Sequence, residues 1–219
     1  QRCMAISVAV AVGDAADLLV KKVQERALAV KVDNGTAPGA EMGPVITPES
    51  RERIVRIVTE AEQAGAAMVV DGRDLVVPGH EEGFWVGPTV IDHVTTQMTA
   101  YTEEIFGPVL VVVRVEDLDA GIRLINSNPY GNGTAIFTSS GASARKFQRS
   151  VSVGMVGINV PLPVPVAYHS FGGWKASLFG DKHIYGPEGV SFYTRGKVVT
   201  SRWPEADQFS GASYNFPSN

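Results

Sequence analysis

The segment Val109-Leu-Val-Val-Val-Arg-Val115 constrains the fold more than any other stretch of this chain. It is nearly continuous Val and Leu, with no alternation to mark a solvent face. A strand of this kind must be covered on both sides, as in a parallel sheet flanked by helices. The neighbouring pattern agrees. Ile6 to Val12 is β-branched and ends at Gly13-Asp14, so it reads as a buried strand and a turn, with Asp14 able to cap a helix. From Ala15 to about Lys31, Leu18, Leu19, Val23, Ala27 and Leu28 fall mostly at helical spacing. Thr47-Pro48 opens a second helix that runs to about Ala64 and stops at Gly65, followed by a short strand over Ala67 to Val70. After Val115 come a helix to Ile125, a strand over Thr134 to Thr138, a helix over Ala142 to Ser150 and a strand over Val153 to Val160. Strands and helices alternate, so the fold class is α/β, a largely parallel sheet with flanking helices and right-handed crossovers. Val190 to Trp203 reads as a β-like run beyond the sheet, suited to pairing with a partner chain, and Pro204 to Asn219 as a loose tail.

Composition excludes several functions. The chain has 44% hydrophobic and 19% charged residues, the range of a folded globular domain. Its net charge of -4 and scattered basic residues speak against nucleic acid as a partner. The longest apolar runs are strand-sized, which speaks against a membrane span. Cys3 is the single cysteine, so no intrachain disulfide forms, and a reducing compartment is expected: cytoplasm, or the mitochondrial matrix in a eukaryote. The chain opens Gln1-Arg2-Cys3-Met4 with no initiator Met, so residues upstream are expected to be missing.

Three segments carry candidate chemistry. Cys3 is either an inert residue or a nucleophile; Arg2 beside it and a helical turn starting there would both favour the thiolate. Glu103-Glu104-Ile105-Phe106-Gly107-Pro108 directly precedes the most buried strand. It reads either as a turn whose glutamates cap a short helix, or as a carboxylate at a sheet edge able to accept hydrogen bonds from a ribose diol. Ser170-Phe171-Gly172-Gly173-Trp174-Lys175 offers an apolar wall with close backbone approach, equally a substrate tunnel or a packed loop. His80, His93, His169 and His183 show no metal-ligand spacing, so no metal site is expected.

Taken together and in this order, the segments resemble the aldehyde dehydrogenase superfamily. Gln1-Arg2-Cys3 is similar to the segment around its nucleophile and Glu104-Ile105-Phe106-Gly107-Pro108 to its second hallmark motif. Phe137-Thr138, Gly157-Ile158-Asn159 and Phe171-Gly172-Gly173-Trp174-Lys175 are similar to later ones. The resemblance covers essentially the whole chain. Asn159-Val160-Pro161 and the run from Ser191-Phe192-Tyr193-Thr194-Arg195 to Trp203 resemble the CoA-acylating methylmalonate-semialdehyde dehydrogenases.

The resemblance implies that Cys3 attacks an aldehyde, hydride passes to NAD, and CoA takes the acyl group from a thioester, with loss of carbon dioxide. It implies that Arg2 holds a substrate carboxylate, that Glu104 binds the nicotinamide ribose with Phe106 near the ring, and that Phe171 walls the substrate tunnel. It also implies a catalytic domain over residues 1–187, an oligomerisation strand over 188–204 that builds homodimers or homotetramers, and a tail over 205–219. The family's NAD-binding domain lies upstream of the nucleophile and has no counterpart in this sequence, so the isolated chain is expected to bind NAD weakly and to be inactive. Two other readings remain: part of a hydrolytic aldehyde dehydrogenase, and a non-catalytic oligomerising module.

Overall fold

The structure is a computed structural model and describes residues 4–203. Strand β1 (Val8–Val12) leads into helix α1 (Ala15–Ala29), and helix α2 (Pro48–Gln63) into strand β2 (Ala67–Val70). Strand β3 (Thr89–Asp92), the short helix α3 (Thr99–Thr102) and strand β4 (Val109–Val115) follow, then helix α4 (Leu118–Ser127). The remainder holds β5 (Tyr130–Gly131), β6 (Gly133–Ile136), α5 (Gly141–Ser150), β7 (Met155–Ile158), β8 (Trp174–Lys175) and α6 (Pro187–Tyr193).

The main sheet has the order β1-β4-β3-β2. β4 lies between β1 and β3 and runs parallel to both, while β2 closes one edge antiparallel to β3. Side chains on a strand alternate between faces, and β4 feeds two cores accordingly. Val109, Val111 and Val113 pack with Ile54, Ile57 and Val58 of α2. Val112 packs on the other face with Ala11, Val90 and Val20 and Val23 of α1. This two-sided cover is what the unbroken Val/Leu run requires. Two smaller pairs stand apart: β6 with β7, parallel, and β5 with β8, antiparallel.

Local chemistry sets the element ends. The Thr47 hydroxyl accepts from Ser50 N at the start of α2, with Pro48 at the first helical position, and Gly65 (φ +95°) ends it in a conformation open to glycine. Asp117 and Ser140 cap α4 and α5 in the same way as Thr47.

Several expectations need correction. Asp14 makes no capping bond, because its backbone is already helical (φ −65°, ψ −12°). Glu103 and Glu104 cap no helix start; Glu103 instead closes the C-terminal end of α3 through its backbone N–H. The sequence pattern marks no strand at β3, which is four residues long and follows a Pro/Gly-rich stretch, yet every residue in it is buried. The expected strand from Val190 is helical through Tyr193. Pro187 presets the backbone angle of the first helical turn, and this local start overrides the β-branched and aromatic composition. Residues 194–203 join no ladder among the described residues, and the tail 205–219 lies outside them.

One ionic cluster ties strands β3 and β4 to helix α1. Arg114 of β4 donates from Nε and Nη2 to Asp92 at the end of β3, and from Nη1 to Asp17 in the first turn of α1, at 2.6 Å. Asp92 is only 3% exposed. Burial alone would raise its carboxyl, but hydrogen bonds from Arg114 and His93 N–H, with the charges of both residues, hold it below the ordinary carboxylate range. A carboxyl depressed in the folded state contributes stability above its unfolded value, near pH 4, and that contribution disappears as pH falls through the folded value. Acid denaturation of the wild type should therefore steepen below about pH 4. Asp92→Asn should flatten the profile there, as read by urea melts at pH 3 and pH 7.

Candidate active site

The turn Glu104–Pro108 is held from beneath by two adjacent residues of α2. Arg53 donates from Nη1 to the Glu104 carbonyl at 2.8 Å and from Nη2 to the Ile105 carbonyl. A planar guanidinium forks onto two such acceptors in a way an ammonium does not. Ile54 lies directly under Gly107, where an added Cβ would stand 2.5 Å from its Cδ1. Ile105 is buried in the core beside Ile54. Between these anchors Phe106 adopts φ +48°, a left-handed conformation that costs a non-glycine residue roughly 1–2 kcal/mol. The residue is 47% exposed. Glu104 is exposed too, and its carboxylate makes no hydrogen bond or ion pair among the described residues. The turn thus presents an unengaged carboxylate and an aromatic face to the outside. The sequence motif singles out both residues but not Arg53, which reads as one more charge on the polar side of an amphipathic helix.

A second junction joins β6 and β7. Asn159 follows β7 at φ +56°, and its amide replaces a further rung of the ladder: Oδ1 accepts from Thr138 N at 2.9 Å and Nδ2 donates to Thr138 O at 3.1 Å. Asparagine is among the few residues that enter this region readily. Phe137 and Asn159, from motifs far apart in sequence, are fixed side by side in this way. At the other end of β6, Met4 packs over Asn132 and Gly133 beside Pro163, with the Asn132 amide 3.3 Å from its Sδ. Met4 is the residue after Cys3. Cys3 and Arg2 themselves lie outside the described residues.

Phe171 sits on a separate loop. Its half-buried ring stacks on Tyr185 at 4.6 Å with an interplanar angle of 1°. The same loop is closed by Glu188, which accepts from Ser170 Oγ at 2.6 Å and from His183 N at 3.2 Å. Those two bonds, with the charges of His183 and Lys182, hold the Glu188 carboxyl below its ordinary range. An added Cβ on Gly154 would stand 2.0 Å from the Gly172 carbonyl, so this loop rests on the backbone leading into β7. Glu104 and Phe106 share one turn, therefore, whereas Phe171 is held by different elements.

A model of the aldehyde dehydrogenase family matches residues 1–199. The chain belongs to that family. Over all 219 residues it is 54% identical to malonate-semialdehyde dehydrogenase of Pseudomonas aeruginosa, of which it spans 44%. Over 207 residues, 94% of this chain, it is 51% identical to the mitochondrial methylmalonate-semialdehyde/malonate-semialdehyde dehydrogenase [acylating] of Bos taurus, of which it spans 38%. Among solved structures it is similar to a methylmalonate-semialdehyde dehydrogenase from Oceanimonas doudoroffii. That match has a TM-score of 0.89 and 59% identity, over 94% of this chain and 42% of the other. The chain spans less than half the length of each of these aldehyde dehydrogenase relatives. No helix among the described residues is long and apolar enough to cross a membrane.

Proposed function

We propose that the full-length protein carrying this chain is an NAD-dependent, CoA-acylating dehydrogenase of malonate and methylmalonate semialdehyde. The carrying observation is the likeness of the whole chain to semialdehyde dehydrogenases, 54% over its full length, one of its relatives being named as acylating. The geometry supports the cofactor part. A carboxylate exposed and without a partner among the described residues suits a ribose diol, and an outward aromatic held in a strained conformation suits contact with a flat ring. Glu104 and Phe106 would therefore hold NAD, which when bound supplies the hydride acceptor.

In this reading the Cys3 thiolate adds to the aldehyde carbon, and its backbone N–H donates to the resulting oxyanion. Loss of the aldehyde hydrogen as hydride leaves a thioester on Cys3. The CoA thiolate displaces Cys3 as thiolate, and the β-carboxylate departs as carbon dioxide, the electron pair left on the α-carbon taking a proton from solvent, to give acetyl-CoA or propionyl-CoA. Arg2 anchors the substrate carboxylate with a bidentate pair, and Phe171 walls its path. Residues 188–204 mediate assembly into homodimers or homotetramers. Their exposed Tyr193, Val198 and Trp203 support that role. The compartment is the cytoplasm or a mitochondrial matrix.

The test incubates full-length protein with methylmalonate semialdehyde, NAD and CoA and identifies the product by mass spectrometry. Acyl-CoA is expected, and free acid in the presence of CoA would overturn the acylating assignment. Arg2→Ala should raise KM for the semialdehyde about 10- to 100-fold, the loss of a charged hydrogen-bonded pair, and leave KM for propanal unchanged. Equal effects on both aldehydes would remove the carboxylate role.

A further inference from the structure

We infer that Lys175 is a positioning residue whose ammonium, seated on the C-terminal carbonyls of α4, fixes the loop that carries Phe171. The inference rests on the functional reading above only in assigning Phe171 to the aldehyde path. Lys175 Nζ donates to Asn126 O at 3.1 Å and to Asn128 O at 3.0 Å. α4 ends at Ser127, so these are carbonyls of its last turn and cap, partly negative and lacking helical partners. Among the described residues the ammonium has no carboxylate partner.

The backbone of Lys175 adopts φ +54°, a conformation that glycine enters freely and lysine does not. The side chain at this position therefore offsets a conformational penalty, and the two carbonyl bonds are what it supplies. They lie at a junction of several elements. Lys175 pairs with Tyr130 and Trp174 with Gly131 in the β5–β8 ladder, Ala176 N donates to Pro129 O, and Gly131 N donates to Ser177 Oγ. Asn126 carries the link onward: its amide bonds Ser150 O and Ser152 N, both at 2.7 Å, where α5 gives way to β7. Phe171 is four residues before Lys175, across Gly172, which presses on Gly154. With the ammonium removed, this end of the loop keeps only the two-residue β5–β8 ladder and the Ala176 and Ser177 bonds beside it.

The experiment compares Lys175→Met, Lys175→Arg and Lys175→Gly in the full-length protein, by amide hydrogen exchange and by steady-state kinetics. The Met and Gly variants should exchange the Gly131 and Ala176 amides about tenfold faster, with Val111 to Val113 unchanged. They should raise KM for the semialdehyde about tenfold with kcat within twofold, and leave NADH affinity by fluorescence unaltered. Lys175→Arg, which keeps the cation and its donors, should recover most of both effects. Lys175→Gly also removes the backbone penalty, so a Gly variant matching wild type in exchange and KM would overturn the proposal. Faster exchange with unchanged KM would overturn the link to Phe171. A wild-type enzyme inactive on semialdehydes would instead refute the functional reading, while the exchange arm would still test the clamp.

Discussion

Cys3→Ala in the full-length protein should lower kcat/KM for semialdehyde oxidation by on the order of 10³-fold or more, with NADH affinity and melting temperature unchanged. The expected size follows from the chemistry. A free aldehyde is a poor hydride donor until a nucleophile adds to its carbonyl carbon, and no other thiol in this chain can add to it, because Cys3 is its single cysteine. Withholding CoA should make the wild type release a burst of NADH equal to the enzyme sites, together with a mass increase on the peptide carrying Cys3. Cys3→Ala should show neither. Cys3→Ser should stay close to Ala, since an alkoxide forms far less readily than a thiolate at neutral pH. Retention of a tenth of wild-type activity by Cys3→Ala would dismiss the residue as nucleophile.

Much of the frame was legible because its signals are strong and local. The unbroken apolar run of β4 demanded cover on both faces, and Val111 and Val112 do face different cores. Thr47-Pro48 and Gly65 bounded α2 through capping and a left-handed stop, chemistry that depends on neighbours within four residues. β3 was missed because its evidence is tertiary: Thr89 to Asp92 becomes a strand only through burial between β4 and β2. The run after Val190 misled for the opposite reason, a local Gly186-Pro187 helix start outweighing composition.

The site divides the same way. Glu104, Phe106 and Phe171 are proposed as site residues from ordered motifs. Arg53 lies outside those motifs, and Lys175 stands in one without its role being legible, because both act on backbone carbonyls distant in sequence, which no side-chain pattern records. The strained φ of Phe106 is likewise invisible without coordinates. Cys3 and Arg2 rest on the motif alone.

Ile54→Ala should destabilise the protein by about 2–5 kcal/mol, the cost of emptying a fully buried aliphatic site. Ile54 is 0% exposed and touches the core that α2 makes with β4. It also forms the floor under Gly107, so the same change should loosen the turn that presents Glu104 and Phe106 and weaken NADH binding. Gly107→Ala tests the floor from the other side. No left-handed backbone angle reserves this position for glycine, so packing alone excludes a side chain: the new Cβ would meet Cδ1 of Ile54 at 2.5 Å and Cγ1 at 3.0 Å. Overpacking of this kind costs about 1–3 kcal/mol. In the double variant the methyl enters the space that Ile54 vacates, and the combined loss should fall short of the sum by about 0.5–3 kcal/mol, the range for residues in direct contact. Denaturant melts of the four proteins give that coupling directly. Strict additivity would mean that Gly107 and Ile54 do not share the space between them, and that the turn bearing Glu104 is held to α2 by the Arg53 fork and the burial of Ile105.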